Sequence, residues 1–114
     1  MVRVDNLLPL PDRRAQFAWS HHVTVPEQSG CYALVSYAGE VLYVGLATDS
    51  IRGRMRSHLD TPEKRKASPA GAPFWFYYVL RSAAEVGPIE RGWMNQAIMD
   101  DGAIPLLNKV YSPL

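Results

Sequence analysis

The sequence predicts an α+β domain in which a small three-stranded antiparallel sheet is flanked by helices. Two β-rich segments, residues 31–37 (CYALVSY) and 41–46 (VLYVGL), lie close together, and a third, residues 74–80 (FWFYYVL), follows a loop. Two segments with helical periodicity, residues 51–59 and 88–101, alternate with these strands. Elements in this order bury their apolar faces by packing sheet against helix, as in an α/β sandwich.

Composition indicates an ordinary soluble protein. The 114 residues fit one domain, 1–114, with a core at about 25–109 and an N-terminal extension at 1–24. Apolar residues make up 47% and charged residues 20% of the chain. No apolar run approaches the ~20 residues of a membrane span, and the N-terminus lacks the pattern of a secretory signal. The single cysteine, Cys31, allows no internal disulfide, so we expect a cytoplasmic protein with no membrane partner.

The N-terminal residues give the weakest pattern. Pro9, Pro11 and Pro26 interrupt any long element. We interpret residues 12–19 as one or two helical turns and residues 22–25 (HVTV) as a short strand.

The first two β-rich segments are expected to form a hairpin. Glycine at the first central position favours a two-residue type II′ turn, Gly39-Glu40. Because side chains alternate between the faces of a strand, this register projects Tyr32 and Tyr43 from the same face. A three-residue loop would put them on opposite faces. The turn therefore decides whether the two tyrosines can cooperate.

Residues 51–59 predict a short basic helix. Its buried stripe consists of apolar residues at every fourth position: Ile51, Met55 and Leu59. A polar residue just before it can cap the first turn: Thr48, Asp49 or Ser50. Arg54 and His58 are also four apart, so they are neighbours beside the stripe.

The aromatic segment 74–80 and the helix 88–101 complete the predicted fold. The former is typical of a buried strand rather than of a base-stacking surface, since polar residues do not alternate along it. Pro88 suits the first position of the helix and Gly102 its end. Glu90 falls inside the apolar face of this helix, where an uncompensated carboxylate costs several kcal/mol. Two explanations stay open: an ion pair with Arg54, or a metal ligand or acid/base group.

Charge is unevenly distributed although the net charge is only +1. Six basic residues cluster within a short stretch: Arg52, Arg54, Arg56, Lys64, Arg65 and Lys66. A local basic stripe on a neutral protein can form a phosphate-binding surface, but charge alone favours the alternative, a solvated helix face followed by a charged loop. The chain has no P-loop, GxGxxG, HExxH or paired CxxC motif.

The order of these motifs resembles the GIY-YIG nuclease superfamily over about residues 25–109. The tripeptides 30–32 (GCY) and 43–45 (YVG) correspond to the two that name the family. Arg54 and His58 correspond to its helix arginine and to a position that is histidine in part of the family. Glu90 corresponds to its metal-binding glutamate and Asn108 to its asparagine.

Three departures from the family pattern stand out. Cys31 replaces an isoleucine or valine, which a packed face tolerates. Leu46 stands where many relatives have a lysine or a small polar residue. One extra residue after the second tripeptide makes Arg52 a competitor for the arginine role, but Arg54 has the helical spacing to His58.

The resemblance implies an endonuclease that hydrolyses DNA phosphodiester bonds with Mg²⁺ or Mn²⁺. Arg54 would hold the phosphate and Glu90 the cation. Tyr32, with Tyr43 as the second choice, would be the general base, and His58 could take the proton on. Asn108 would orient a neighbour by hydrogen bonding. The remaining basic residues would bind the DNA backbone without reading sequence: Arg52, Arg56, Lys64, Arg65 and Lys66.

Partners and alternatives follow from the same resemblance. Duplex DNA is the expected substrate, and a homodimer, a fusion or a partner would supply specificity. The chief alternative is a non-catalytic nucleic-acid-binding or interaction module on the same fold. A structural domain in which Glu90 and Arg54 merely pair is the third.

Overall fold

The computed structural model describes residues 2–108, which form a four-stranded antiparallel sheet between two helices. The strands are β1 (Arg13–Gln16), β2 (Gly30–Ser36), β3 (Val41–Ala47) and β4 (Pro73–Leu80), in the spatial order β1-β4-β2-β3. The helices are α1 (Ile51–Leu59) and α2 (Val86–Asp101). Neither is long and apolar enough to cross a membrane, and the same holds for every helix within residues 2–108.

The two helices lie on opposite faces of the sheet. Alternate residues of β2 point to opposite faces, and they belong to two separate core clusters. Cys31 and Ala33 pack with Trp93 of α2. Tyr32 packs with Met55 of α1. A side chain on α1 and one on α2 are therefore separated by the sheet unless they meet around its edge.

The α+β class is confirmed, but the expected three strands are four. The additional strand β1 pairs along β4, with Arg14 opposite Tyr77 and Ala15 opposite Phe76. Its sequence, RRAQ, contains no β-branched or aromatic residue, so β propensity gave no signal. Pairing with the aromatic strand β4 overrides that weak propensity.

Two predictions for the N-terminal residues are wrong. Residues 12–19, interpreted as helical turns, contain β1, and residues 22–25, interpreted as a strand, mostly belong to the 3₁₀ helix Trp19–Thr24. The N-terminal residues are also part of the core, since Val2, Val4 and Leu7 pack in the cluster beneath α2. They are therefore integral to the sheet and core rather than an appendage.

The β2–β3 connection differs from the predicted two-residue turn. The Ser36 N–H donates to the Glu40 carbonyl (2.9 Å), and the Gly39 N–H donates to the Ser36 carbonyl (2.9 Å). The loop thus contains three residues and ends on Gly39 at φ 96°, a conformation that favours glycine. By itself, such a loop would separate the two tyrosines.

A second irregularity cancels that effect. Leu34 lies opposite Tyr43, whereas the next residue, Val35, lies opposite Val41, so Leu42 is an extra residue on β3. This β-bulge shifts the pairing of β3 by one residue, which reverses the change of face that the three-residue loop alone would have caused. The two tyrosines therefore project from one face as predicted, although the turn that was expected to place them there is wrong.

The remaining elements follow the sequence pattern closely. α1 spans the predicted residues, and the Ser50 hydroxyl accepts a hydrogen bond from the Gly53 N–H (3.1 Å) as its N-cap. α2 begins two residues before the predicted Pro88, whose missing N–H is tolerated in a first turn. It ends at Gly102, in the left-handed conformation (φ 75°). β4 lies inside the sheet, between β1 and β2.

Replacement of Gly53 by alanine is expected to stabilise the protein by about 0.5–1 kcal/mol. An added Cβ would lie 3.6 Å from the nearest atom, an ordinary contact, while helix propensity improves by about that amount. Urea denaturation measures the change. Gly39→Ala is the opposite control, since its positive φ should make the same substitution destabilising. A destabilised Gly53→Ala protein would contradict the expectation.

Candidate active site

The candidate site is centred on a buried hydrogen bond between Tyr32 and His58. Tyr32 lies in the middle strand pair on β2, and His58 lies on the last turn of α1 above it. The phenol oxygen and His58 Nε2 are 2.7 Å apart. Tyr32 is only 2% exposed and His58 8%. α1 can bring its histidine to this point because its apolar stripe packs on the same sheet face.

Tyr43 extends this pair into a chain of three groups. Its ring stacks beside that of Tyr32 with 6.2 Å between centroids and lies edge-on to His58 at 4.8 Å. Each phenol also affects the pKa of the other. Tyr43 is partly exposed, unlike Tyr32. The chain therefore runs from the surface at Tyr43 through Tyr32 to His58.

The second tripeptide ends in glycine because Tyr32 leaves no room for a side chain there. Gly45 lies directly opposite Tyr32 in the strand pairing. A Cβ added to Gly45 would lie 2.5 Å from the Tyr32 hydroxyl oxygen. The hydroxyl is thus held between Gly45 and His58, while Phe76 stacks on its ring at 4.9 Å.

Burial keeps all three groups uncharged. It raises the pKa of Tyr32 well above its ordinary value and raises that of Tyr43 as well. Burial, together with the nearby charges of Lys64 and Arg54, lowers the pKa of His58 to about 4. At neutral pH the imidazole is therefore a neutral hydrogen-bond partner, and its tautomer determines which way the proton chain points.

Arg54 lies at the open side of this chain. Its side chain is exposed, and it borders a groove of about 240 Å³ together with Ser57 and the first turn of α1. Its charge favours the ionised forms of Tyr32 and Tyr43. A guanidinium in this position can bind an anion that reaches the phenols.

Arg52, the competing arginine, is engaged elsewhere in the protein. Its guanidinium donates to the carbonyl groups of Val25 (2.6 Å) and Val23 (2.9 Å) and to the Glu27 carboxylate (2.9 Å). These bonds fasten the segment before β2 onto α1. They give Arg52 a structural role, whereas Arg54 is the arginine whose charge acts on the two tyrosines.

Glu90 is buried on α2, as the helical periodicity predicts, and is 7% exposed. Its neighbours on that helix face pack against Cys31 and β3, on the sheet face opposite Tyr32. Its charge nevertheless raises the pKa of Tyr32 and of Tyr43, after burial. The same charge helps burial to raise the pKa of Cys31 to about 12. The charge of Glu90 therefore acts on groups of both sheet faces.

The alternative of a Glu90–Arg54 ion pair is not realised. Within residues 2–108 the side-chain ion pairs are Arg3–Asp5 and Arg52–Glu27. Arg54 and Glu90 act on the phenols with opposite sign instead of joining each other.

A divalent cation would have one protein carboxylate here. Across residues 2–108, no three His, Cys, Asp or Glu side chains are grouped to enclose a metal ion. Mg²⁺ is often held by one or two carboxylates, with water and substrate phosphate completing its octahedron. Glu90 fits that mode of binding, and it does not fit an all-protein metal cage.

Asn108 acts on the backbone of the second tripeptide. Its side-chain oxygen accepts from the Val44 N–H (2.9 Å), and its side-chain N–H donates to the Val44 carbonyl (3.0 Å). The amide therefore imitates a neighbouring strand along β3 and fixes the residue between Tyr43 and Gly45. Leu46, where relatives often have a lysine, packs against the core on the α2 side.

The other predicted basic residues divide into two groups. Arg56, Arg65 and Lys66 are exposed, as backbone-binding residues should be. Lys64 is only partly exposed, and its Nζ lies 4.3 Å from the centroid of the Tyr43 ring. No pattern in the sequence indicates this difference, because the loop after α1 has no periodicity from which its path could be inferred.

Comparison with known proteins does not assign the chain to a family: no protein-family model and no curated protein matches it.

The buried His58 should make stability depend on pH. Its pKa is about 4 in the folded protein and near 6.5 when exposed. Below pH 6.5 the histidine is protonated in the unfolded chain, whereas in the folded protein it stays neutral down to about pH 4. The contribution of His58 to stability is therefore complete above pH 6.5 and declines as the pH falls toward 4. We expect this histidine to make the protein about 2 kcal/mol less stable at pH 5 than at pH 7.

Urea denaturation at both pH values measures this loss. His58→Gln is the control, because its amide can bond to Tyr32 but does not titrate. An equal loss between pH 7 and pH 5 in both proteins would show that His58 is not its source.

Gly45→Ala is expected to destabilise the protein by about 1–3 kcal/mol, the usual range for overpacking. The added methyl group would overlap the Tyr32 hydroxyl, which cannot retreat from the stacked ring of Phe76. Thermal or chemical denaturation measures the effect. Gly92→Ala is the matched control, since nothing lies within 4 Å of its added Cβ, and it should not lose stability. Equal behaviour of the two variants would refute the steric argument.

Proposed function

We propose that this protein is a metal-dependent endonuclease that hydrolyses phosphodiester bonds in DNA. The observation that carries the proposal is the chain from Tyr43 through Tyr32 to His58, with a 2.7 Å bond at its buried end. A histidine that only packs in the core would need neither a second phenol at the surface nor an arginine beside it. The resemblance of the two tripeptides to those of GIY-YIG nucleases supports the same reaction.

Burial suggests how the two tyrosines divide the work. Tyr32 is 2% exposed, so the attacking water would meet Tyr43 instead. The water gives a proton to Tyr43 as Tyr43 passes its own to Tyr32 and Tyr32 passes its own to His58 Nε2. The resulting hydroxide forms the new bond to phosphorus, the bond to the leaving oxygen breaks, and that oxygen takes a proton from solvent to become a hydroxyl group. In this scheme Tyr43 is the base that contacts water, and Tyr32 is the relay.

Arg54 would hold the phosphate over this relay. Its planar guanidinium can donate two hydrogen bonds to the non-bridging oxygens of a phosphodiester. Its exposure leaves it accessible to a duplex. The negative phosphate would in turn offset the charge of Arg54 that opposes protonation of His58.

Glu90 would hold Mg²⁺ or Mn²⁺. A bound divalent cation supplies positive charge that stabilises the leaving oxygen and the phosphate in the transition state. The exposed side chains of Arg56, Arg65 and Lys66 would bind the DNA backbone without reading its sequence. Specificity would then come from a partner, a fused domain or a homodimer.

The second candidate is a non-catalytic nucleic-acid-binding module on this fold. The favouring observation is that both phenols have raised pKa values and His58 a lowered one, so no strong base is present in the free protein. Such a module would bind DNA in a strongly salt-dependent way and leave every strand intact.

A nicking assay on supercoiled plasmid tests the proposal. Wild-type protein should relax the plasmid with Mg²⁺ or Mn²⁺ and not with EDTA. Arg54→Gln and Glu90→Gln should each lower the single-turnover rate by at least about 100-fold, as expected for loss of a group that stabilises transition-state charge. The matched control is Arg14→Gln, which removes an exposed arginine from β1 on the sheet face opposite Tyr32, and should cleave like wild type.

Circular dichroism of each variant excludes unfolding as the cause. Binding without cleavage under all metal conditions would favour the module. Unchanged cleavage by Glu90→Gln would mean that the cation is held elsewhere.

A further inference from the structure

Lys64 comes to the candidate site by a short route along the chain. After α1, the Thr61 N–H donates to the His58 carbonyl (3.1 Å), and the Lys64 N–H donates to the Thr61 carbonyl (3.0 Å). These bonds turn the 3₁₀ helix Pro62–Lys64 back toward the sheet. Its last residue thereby reaches the ring of Tyr43, with Nζ 4.3 Å from the centroid. The next two residues, Arg65 and Lys66, stay exposed.

The geometry makes Lys64 a neighbour of the whole relay. Cations are attracted to the face of an aromatic ring at this distance, and the edge of that ring lies against His58. Four groups from four elements act on His58: Tyr32 from β2, Tyr43 from β3, Arg54 from α1 and Lys64 from the 3₁₀ helix. Two of the four are cations, and their positive charges disfavour protonation of the imidazole.

We infer that Lys64 is a positioning residue of this site, which holds Tyr43 in the relay and, with Arg54, makes proton uptake by His58 depend on a bound phosphodiester. The inference rests on the proposed function. In the free protein burial keeps His58 neutral and a weak base, and the two cations add to that effect. A phosphodiester bound between them carries the opposite charge and offsets both. His58 thus becomes more basic when the substrate whose hydrolysis releases the proton is present.

Histidine NMR titration tests the coupling without relying on activity. Three variants are compared with wild type in EDTA: Lys64→Met, Lys64→Arg and Lys66→Met. The pKa of His58 should rise in Lys64→Met by about 0.5 unit or more, the effect of removing one charge a few ångström away in a water-like dielectric. It should stay unchanged in Lys64→Arg and Lys66→Met. A short DNA duplex added in EDTA should raise it in wild type and raise it less in Lys64→Met.

The inference would be overturned if His58 had the same pKa in Lys64→Met as in wild type, both with and without the duplex. The NMR result stands whether or not the protein cleaves DNA, so it separates failure of this coupling from failure of the proposed function.

Single-turnover cleavage then tests the consequence for catalysis. With saturating DNA, the acid limb of the pH–rate profile should move to higher pH in Lys64→Met, because His58 becomes protonated more readily, and should stay in place in Lys64→Arg. Lys66→Met should weaken DNA binding without moving the limb. If Lys64→Met, like Lys66→Met, weakens DNA binding and leaves the acid limb in place, Lys64 is an ordinary backbone contact and the inference fails.

Discussion

The hydrogen bond between Tyr32 and His58 is the interaction on which the arrangement of this site depends. It joins the sheet to α1, and it is made between two side chains that water barely reaches. Tyr32 is held by the stacked ring of Phe76, and the absence of a side chain at Gly45 leaves room for its hydroxyl. His58 is held by α1, whose apolar stripe packs on the same face of the sheet. An interaction supported on every side by packing can keep a fixed geometry. The exposed groups around it, Tyr43 and Arg54, are ordered relative to this buried bond.

The electrostatics of the site combine three buried neutral groups with fixed charges around them. Two phenols and an imidazole are all neutral at neutral pH, so the sheet buries them without burying charge. Charges of both signs lie around them instead: Arg54 and Lys64 on the α1 side, and Glu90 from α2. A reaction that develops charge in such a site changes the balance of fixed charges around it more than it would in water.

The parts of this arrangement that are periodic could be predicted from the sequence. The extent of α1, the burial of Glu90 and the pairing of Arg54 with His58 along α1 all follow from spacings of three or four residues. The parts that depend on packing between distant segments could not. β1 is a strand because β4 offers it a partner, although its own residues do not favour one. The bulge at Leu42 and the return of Lys64 to Tyr43 are set by tertiary contacts as well. The tyrosines share a face because of that bulge, so their predicted facing is correct although the predicted two-residue turn is wrong.

The covering of β3 restricts how this sheet can be extended. β3 is an edge strand, but Val41 donates to the Val2 carbonyl, Leu42 accepts from Leu107, and the Asn108 amide occupies Val44. Groups that would otherwise be open to pairing with another chain are thus capped from within. A partner that adds a strand would have to approach the opposite edge, at β1, where Arg13 and Arg14 are exposed. A strand added at β1 would therefore leave the edge that bears Tyr43 open to a ligand, and the arginines of β1 would disfavour pairing with the same edge of a second copy.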